Sequence, residues 1–208
     1  MSLATRALAN GLQLCVHAIG DRANHEVLQI FNKKGVSPKN RWRIEHAQHV
    51  DPRDIPSFRD MGVIASMQAI HCTSDAPFVE RRLGKERASS GAYVWKSMVQ
   101  AGVHFANGTD APVERINPFD CIYATVTRKR PDNNFEFYPE QKLSRDEALL
   151  SYTLWNAYAS FEEQEKGSIT PGKLADFVIL NQNLLHCSDE DILKTKAEEV
   201  YIGGNKVR

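Results

Sequence analysis

Four short apolar segments of this sequence are each followed by residues that can hold a metal ion or interact with a substrate. His17 follows the first segment in "CVHAIGDRA", His46 the second in "RIEHAQ", and Asp110 the fourth in "NGTDAP". The third segment leads into Gln68 and His71 in "SMQAIH". Imidazole nitrogen and carboxylate oxygen both suit zinc and similar divalent cations. The two histidines and the aspartate are therefore candidate metal ligands.

The pattern of the chain predicts how these residues meet. Short apolar segments at 12–16, 42–45, 63–67 and 103–106 read as strands, and helix signals at 23–34, 51–62 and 91–102 separate them, with a polar loop over 74–87. Such βα repeats indicate an α/β fold around a parallel sheet. The carboxyl ends of parallel strands form one face, which holds the active site in (β/α)8 barrels. The 29-residue step from His17 to His46 is close to the roughly 31 residues of one barrel unit.

Composition limits the class of protein. Lys plus Arg and Asp plus Glu both number 26 in 208 residues, so there is no basic excess for binding nucleic acid. The longest apolar runs are shorter than the roughly 20 residues of a membrane helix, which predicts no membrane partner. The four cysteines form no Cys-x-x-Cys pair, which argues against a cysteine zinc site and fits a reducing, cytoplasmic location.

Five motifs in order resemble one family. The segments "HAIGDRA", "RIEHAQ", "ASMQAIH", "GTDAP" and "KGSITPGKLADFVIL" are similar to the C-terminal part of metal-dependent amidohydrolases, most closely amidohydrolase family 3, which includes N-substituted formamide deformylases. The resemblance implies a (β/α)8 barrel with a small β-sandwich beside it. The four strands would be barrel strands five to eight. Residues 1–161 would form the C-terminal half of the barrel, and residues 162–208 the C-terminal strands of the sandwich.

The same resemblance implies roles for individual residues. His17, His46 and Asp110 match metal ligands for one or two divalent ions, with zinc the expected metal, and Asp110 also matches the general base. Gln68 and His71 are expected near a small amide-type substrate. Two of these residues also have a structural interpretation: His17 as a histidine that ends a strand, and Asp110 as a cap for the turn at Pro112.

The sequence also departs from the family pattern. Members carry a His-x-His motif after the first barrel strand, and this chain contains none. Members are also longer, since eight βα units alone need about 250 residues. We therefore expect a truncated piece that is inactive alone, whose open barrel edges favour a homo-oligomer. Two other readings remain open: a non-catalytic fragment or degenerate domain that mainly self-associates, and a small-molecule binding module.

The C-terminal part of the sequence fits this account. Ser144 and Glu147 form a capping-box pattern that opens the predicted last barrel helix. Beyond it, "EEVYIGGNKV" predicts a hairpin with Gly203 and Gly204 at its tip. Asp176 is predicted to tie a turn rather than to act in catalysis.

Overall fold

A four-stranded parallel sheet organises the chain in the computed structural model, which describes residues 2–208. Its strands are β1 (Cys15–Ala18), β2 (Arg43–His46), β3 (Ile64–Met67) and β4 (Phe105–Asn107), and they pair in that order. The register places Val16, Ile44, Ala65 and Phe105 at one level across the sheet. The predicted α/β class with a parallel sheet is confirmed.

Helices connect and surround these strands. In chain order they are α1 (Leu3–Ala9), α2 (Asp21–Lys33), α3 (Ile55–Met61), α4 (Ala69–Leu83), α5 (Lys85–Gly91), α6 (Trp95–Gln100), α7 (Pro118–Thr127), α8 (Arg145–Tyr152), α9 (Leu154–Ala159) and α10 (Asp189–Ile192). Single 3-10 turns lie at Pro38–Asn40, Pro52–Asp54 and Pro139–Gln141. Among the helices in residues 2–208, none combines the length and apolar character needed to span a membrane.

The two faces of the parallel sheet are covered differently. One face packs against the helices in the main apolar core, which includes Ile44, Ala65 and Phe105. On the opposite face, Ile64 and Ala106 form a smaller cluster with residues of α9. Side chains alternate between the faces along a strand. Cys15 and His17 therefore lie on the side away from the main core, and both residues are exposed. We call this side of the sheet the inner face.

Residues 74–87 are helical, so the predicted polar loop is wrong. Most of this segment belongs to α4, and α5 begins one residue after Gly84, whose φ of 80° ends the first helix. In α4, Cys72, Ala76 and Val79 are buried at spacings of four and three, the period of one helix face. The outer face carries exposed polar residues, and they hid this period in the sequence: Ser74, Glu80, Arg81 and Arg82.

The predicted last barrel helix is two helices. The Ser144–Glu147 capping box is present and confirmed, but Thr153, with φ −125° and ψ −96°, separates α8 from α9. Both helices contact β4. Beyond the break, Tyr158 and Ala159 of α9 pack on the inner face.

A second sheet follows α9 in the chain, and α10 lies between its first two strands. Strands β5 (Phe177–Leu180), β6 (Ala197–Ile202) and β7 (Asn205–Lys206) pair antiparallel in that order. Gly203 and Gly204 form the predicted hairpin tip with φ of 57° and 79°, backbone angles that favour glycine. Asp176 accepts a hydrogen bond from the Gly203 N–H at 2.7 Å, which confirms its structural role.

Candidate metal centre

Three potential ligands meet at the carboxyl edge of the parallel sheet. His46, His71 and Asp110 each offer one ligand atom, and these atoms all lie within 4.8 Å of one another. His46 is the last residue of β2, His71 lies in the first turn of α4 just after β3, and Asp110 lies three residues beyond β4. Residues distant in sequence therefore converge because parallel strands end at a common edge.

Gln68 fixes the orientation of the His46 ring. The two side chains meet with 2.7 Å between His46 Nδ1 and Gln68 Oε1. The Gln68 amide nitrogen faces the Ser66 carbonyl at 3.4 Å, which identifies Oε1 as the atom on the histidine side. Because that oxygen can only accept, His46 Nδ1 carries the proton and donates it. The lone pair on His46 Nε2 is then available to a metal ion.

His17 lies beside this cluster but is not one of its three members. Its ring centroid is 4.7 Å from that of His46, in an edge-on arrangement. The residue is exposed on the inner face of β1, the outer strand of the sheet. The structure thus brings His46 and Asp110 together, as predicted for two of the ligands, and it places the His17 ring beside that of His46. His71, predicted near the substrate, stands among the potential ligands.

Glu114 is a member of the site that sequence reasoning missed. Its Oε1 lies 3.3 Å from His71 Nδ1 and accepts a hydrogen bond from the Ser74 hydroxyl at 2.6 Å. The opposite ring nitrogen, His71 Nε2, lies 3.8 Å from Asp110 Oδ2. Two carboxylates thus flank one imidazole. The available sequence signal was a second acidic residue four positions after Asp110, in "GTDAPVE".

The backbone is unusual at two of these residues. His46 has a φ of 76° and Asp110 a φ of 53°. Residues other than glycine rarely adopt this left-handed region, and each such residue costs about 1–3 kcal/mol. Strained conformations of this kind concentrate at functional sites, where the surrounding structure maintains them. Seven other residues of the described chain, Arg41 and Tyr93 among them, share a positive φ, so the assignment of the cluster rests on its convergent ligand atoms.

A buried hydrogen-bond network holds α4 against the end of β2. Gln48, two residues after His46, donates to Asp75 Oδ2 at 2.7 Å, and Asp75 also accepts from the Tyr93 hydroxyl. Burial raises the pKa of Tyr93 and the negative charge of Asp75 raises it further, so the phenol remains a donor at neutral pH. Asp75 is one helical turn beyond His71, so this network also helps to position that ring.

Sequence comparisons identify relatives of this chain. It matches the profile of the amidohydrolase family over residues 2–208. Protein LONG AFTER FAR-RED 3 of Arabidopsis thaliana is 36% identical over 201 residues, covering 95% of this chain and 34% of that protein. The N-substituted formamide deformylase of Arthrobacter pascens is 24% identical over 204 residues, covering 97% of this chain and 38% of that enzyme.

Solved structures give a consistent result. An uncharacterized metal-dependent hydrolase from Pyrococcus horikoshii superposes with a TM-score of 0.79 at 29% identity, covering 89% of this chain and 37% of that one. The atrazine chlorohydrolase TrzN from Arthrobacter aurescens, solved with zinc, gives 0.66 at 19% identity, covering 98% and 46%. The second likeness shows a shared fold alone.

The match over nearly the full chain, together with the order of the motifs along it, shows the family. The chain spans roughly a third of the length of the curated relatives named above, with 34% and 38% of their residues covered. As the five motifs predicted, the chain belongs to the amidohydrolase family.

Proposed function

We propose that this sheet edge serves the metal-dependent hydrolysis of an amide-type C–N bond in a small molecule. The observation that carries the proposal is the convergence of His46, His71 and Asp110, with ligand atoms within 4.8 Å of one another. Family membership supports hydrolase chemistry. The name of the deformylase relative supports an amide-type substrate.

The residues of the cluster fit a divalent ion, with zinc proposed. Two imidazoles and a carboxylate form a donor set typical of zinc. The Gln68 contact leaves His46 Nε2 available, and Asp110 is exposed. We assign His46 and Asp110 as ligands. For the third ligand we keep His17, which the motifs predict and whose ring centroid lies 4.7 Å from that of His46, and we assign His71, the third member of the cluster, to the substrate side. A bound ion would supply Lewis acidity toward a carbonyl oxygen and toward water.

The side chains of the chain account for the proton movements. Asp110 accepts a proton from the attacking water as the new C–O bond forms, and then delivers that proton to the leaving nitrogen as the C–N bond breaks. Gln68, which the resemblance places near the substrate, also holds the His46 ring. His71 faces Asp110 and is proposed to contact the substrate beside it. Water is the only co-reactant that this sequence of steps requires.

The proposed setting is a complete (β/α)8 barrel in which residues 1–161 form one half. Residues 162–208 would then contribute strands to a β-sandwich. The relatives' greater length supports this arrangement. Val178 of β5 and Ile202 of β6 support it too. These apolar side chains lie on one face of the second sheet, they are 52% and 58% exposed, and further strands would cover them. We propose little or no hydrolysis by the 208-residue chain alone.

A second candidate function is self-association. β1 is an outer strand, and its Cys15 and His17 are exposed on the inner face. Outer strands of this kind can pair with another chain. A second copy lying along β1 would place additional groups beside His17. A metal-free oligomer in solution would favour this function over the hydrolase.

Zinc titration of the chain tests the proposal. Calorimetry should detect binding of Zn²⁺ to the unaltered chain, and His46→Ala should weaken it at least about a hundredfold, beyond the loss typical of a residue that only supports a ligand. His186→Ala is the matched control, because His186 is exposed and outside the cluster. Equal affinity in the His46→Ala variant and the unaltered chain would refute the assignment.

A further inference from the structure

We propose that Asn107 is a positioning residue that fixes His71 relative to Asp110. It is the last residue of β4 and is only 5% exposed. The inference rests on the proposed function in taking His71 and Asp110 as the working groups of the site. It adds the device that holds them at a constant separation, although they belong to segments 39 positions apart in the sequence.

The side-chain oxygen of Asn107 joins the two segments directly. Oδ1 accepts from the Ala69 N–H at 3.2 Å and from the Gly108 N–H at 3.0 Å. Ala69 is the first residue of α4, two positions before His71, and Gly108 lies two positions before Asp110. The first N–H groups of a helix have no partner within it. Asn107 therefore caps α4 from the neighbouring strand.

The side-chain nitrogen of Asn107 determines which way the amide points. Nδ2 donates to the hydroxyls of Thr125 at 3.0 Å and Ser151 at 3.2 Å. Those hydroxyls donate in turn to the carbonyls of Cys121 and Ala148, each at 2.7 Å. Their protons are thus committed, and they can only accept from Asn107. A flipped amide would bring two acceptors together and two donors together, so Oδ1 must face Ala69 and Gly108.

The backbone of Asn107 is held separately. Asn156 in α9 donates from Nδ2 to the Asn107 carbonyl at 2.9 Å, and its Oδ1 accepts from the Asn107 N–H at 3.1 Å. One side-chain amide thus occupies both backbone groups of this residue on an outer strand. A buried network with all its members satisfied is rigid. Movement of α4 away from the Asp110 loop would require breaking contacts at Asn107.

The experiment compares Asn107→Ala with Ser151→Ala in the 208-residue chain. The first variant removes the oxygen that joins the segments. The second lies in the same buried network and removes one acceptor of Nδ2, but it leaves Oδ1 in place. Amide exchange by NMR reports on Ala69, the more specific probe, because Gly108 also donates to the Met67 carbonyl at 3.2 Å. Co²⁺ titration and the absorption spectrum of the bound ion report on the site.

We expect Asn107→Ala to accelerate Ala69 exchange at least about tenfold over Ser151→Ala and to shift the His71 ring resonances. The Co²⁺ dissociation constant should rise about 10–100-fold, as is typical when support for a ligand is lost, with an altered spectrum. The Ser151→Ala variant should retain the spectrum. Its Co²⁺ dissociation constant should stay within about threefold of that of the unaltered chain, even when its thermal midpoint falls as far as that of Asn107→Ala. If Asn107 had only a structural role, the two variants would show the same changes.

Two results would overturn the inference: equal effects in the two variants, and unchanged His71 resonances in Asn107→Ala. Should Asn107→Ala not fold, Asn156→Ala serves instead. That variant frees only the backbone of Asn107 and should produce smaller changes in the same direction, whereas unchanged Ala69 exchange would contradict the inference. If the unaltered chain does not bind Co²⁺, the proposed metal centre fails, and the exchange and ring measurements still decide the role of Asn107.

Discussion

The two outer strands of the parallel sheet differ in how far the chain covers them. At β4 all three residues are buried, α8 and α9 lie against the strand, and Asn156 occupies both backbone groups of Asn107. At β1, Cys15 and His17 are exposed, although Ala18 is buried in the main core. We call these the closed side and the open side of the sheet.

This difference divides the candidate metal centre. Asp110, His71 and their support through Asn107 and Glu114 belong to the closed side, where each contact comes from the chain itself. His17 belongs to the open side and meets the cluster through its edge-on contact with His46. The closed side is therefore preorganised. In the proposed barrel, further strands would add contacts on the open side, and in a self-associated form a second copy would do so.

The largest effect is expected from truncating the core of the closed side. Phe105 is 1% exposed and packs between Trp95 and Trp155, so Phe105→Ala should lower the free energy of unfolding by about 3–5 kcal/mol. Val16 lies at the same level of the sheet on β1 and is only partly buried. Val16→Ala should lower the free energy of unfolding by about 1 kcal/mol. Urea denaturation measures both, and equal losses would contradict the comparison.

Metal affinity provides the second contrast. His46 and His17 both end strands, but only His46 has its ring held by Gln68 and lies within the three-residue cluster. In the isolated chain, His46→Ala should weaken Zn²⁺ binding at least about a hundredfold, and His17→Ala by about tenfold or less. Calorimetric titration measures both affinities. A larger loss in His17→Ala would mean that the open side is already organised for metal binding.

The closed side also shows what the sequence could and could not predict. The four strands and the residues that follow them were predictable, because apolar segments and helix signals alternate along the chain. The contact between Asn107 and Ala69 was not, because it joins positions 38 apart through a side chain with no periodic signal. Glu114 was missed for the same reason. The helical structure over 74–87, in α4 and α5, was missed because its solvent-facing residues outnumber its buried ones.

An ion pair beside the inner face is expected to have a third and smaller effect on stability. Arg41 donates to both carboxylate oxygens of Glu163, at 2.7 and 2.8 Å, and lies over the Tyr158 ring at 3.8 Å. These hydrogen bonds lower the pKa of Glu163 from 4.5 to about 2. Because the pKa is lowered by folding, the pair stabilises the fold fully above pH 4.5, and this stabilisation is lost as the pH falls toward 2.

Glu163→Gln should therefore lower the free energy of unfolding by about 1 kcal/mol at neutral pH, a value kept small because the pair is partly exposed to solvent. The difference from the unaltered chain should disappear as the pH approaches 2. Glu165→Gln is the control, since Glu165 is exposed in the same segment. Urea denaturation across this pH range makes the measurement. A difference that persists at the lowest pH would show that the carboxylate charge is not the cause.

Thiol labelling perturbs the molecule least, and the rate at which Cys15 is modified reports directly on the exposure of the open side. Cys15 is exposed, whereas Cys72 and Cys121 are buried. Burial also raises the pKa of the Cys72 and Cys121 thiols to about 11, which reduces the reactive thiolate further. In the folded chain at neutral pH, a maleimide should modify Cys15 well before these two, with mass spectrometry of peptides identifying the sites.

The same labelling distinguishes an open inner face from one covered by a second copy. Dilution changes association between chains but not folding within one chain. If copies associate along β1, labelling of Cys15 should slow as the protein concentration rises, while Cys72 and Cys121 remain protected at every concentration. A constant rate for Cys15 would exclude self-association on this face over the range tested. The further strands of the proposed barrel would then be the source of additional contacts for His17.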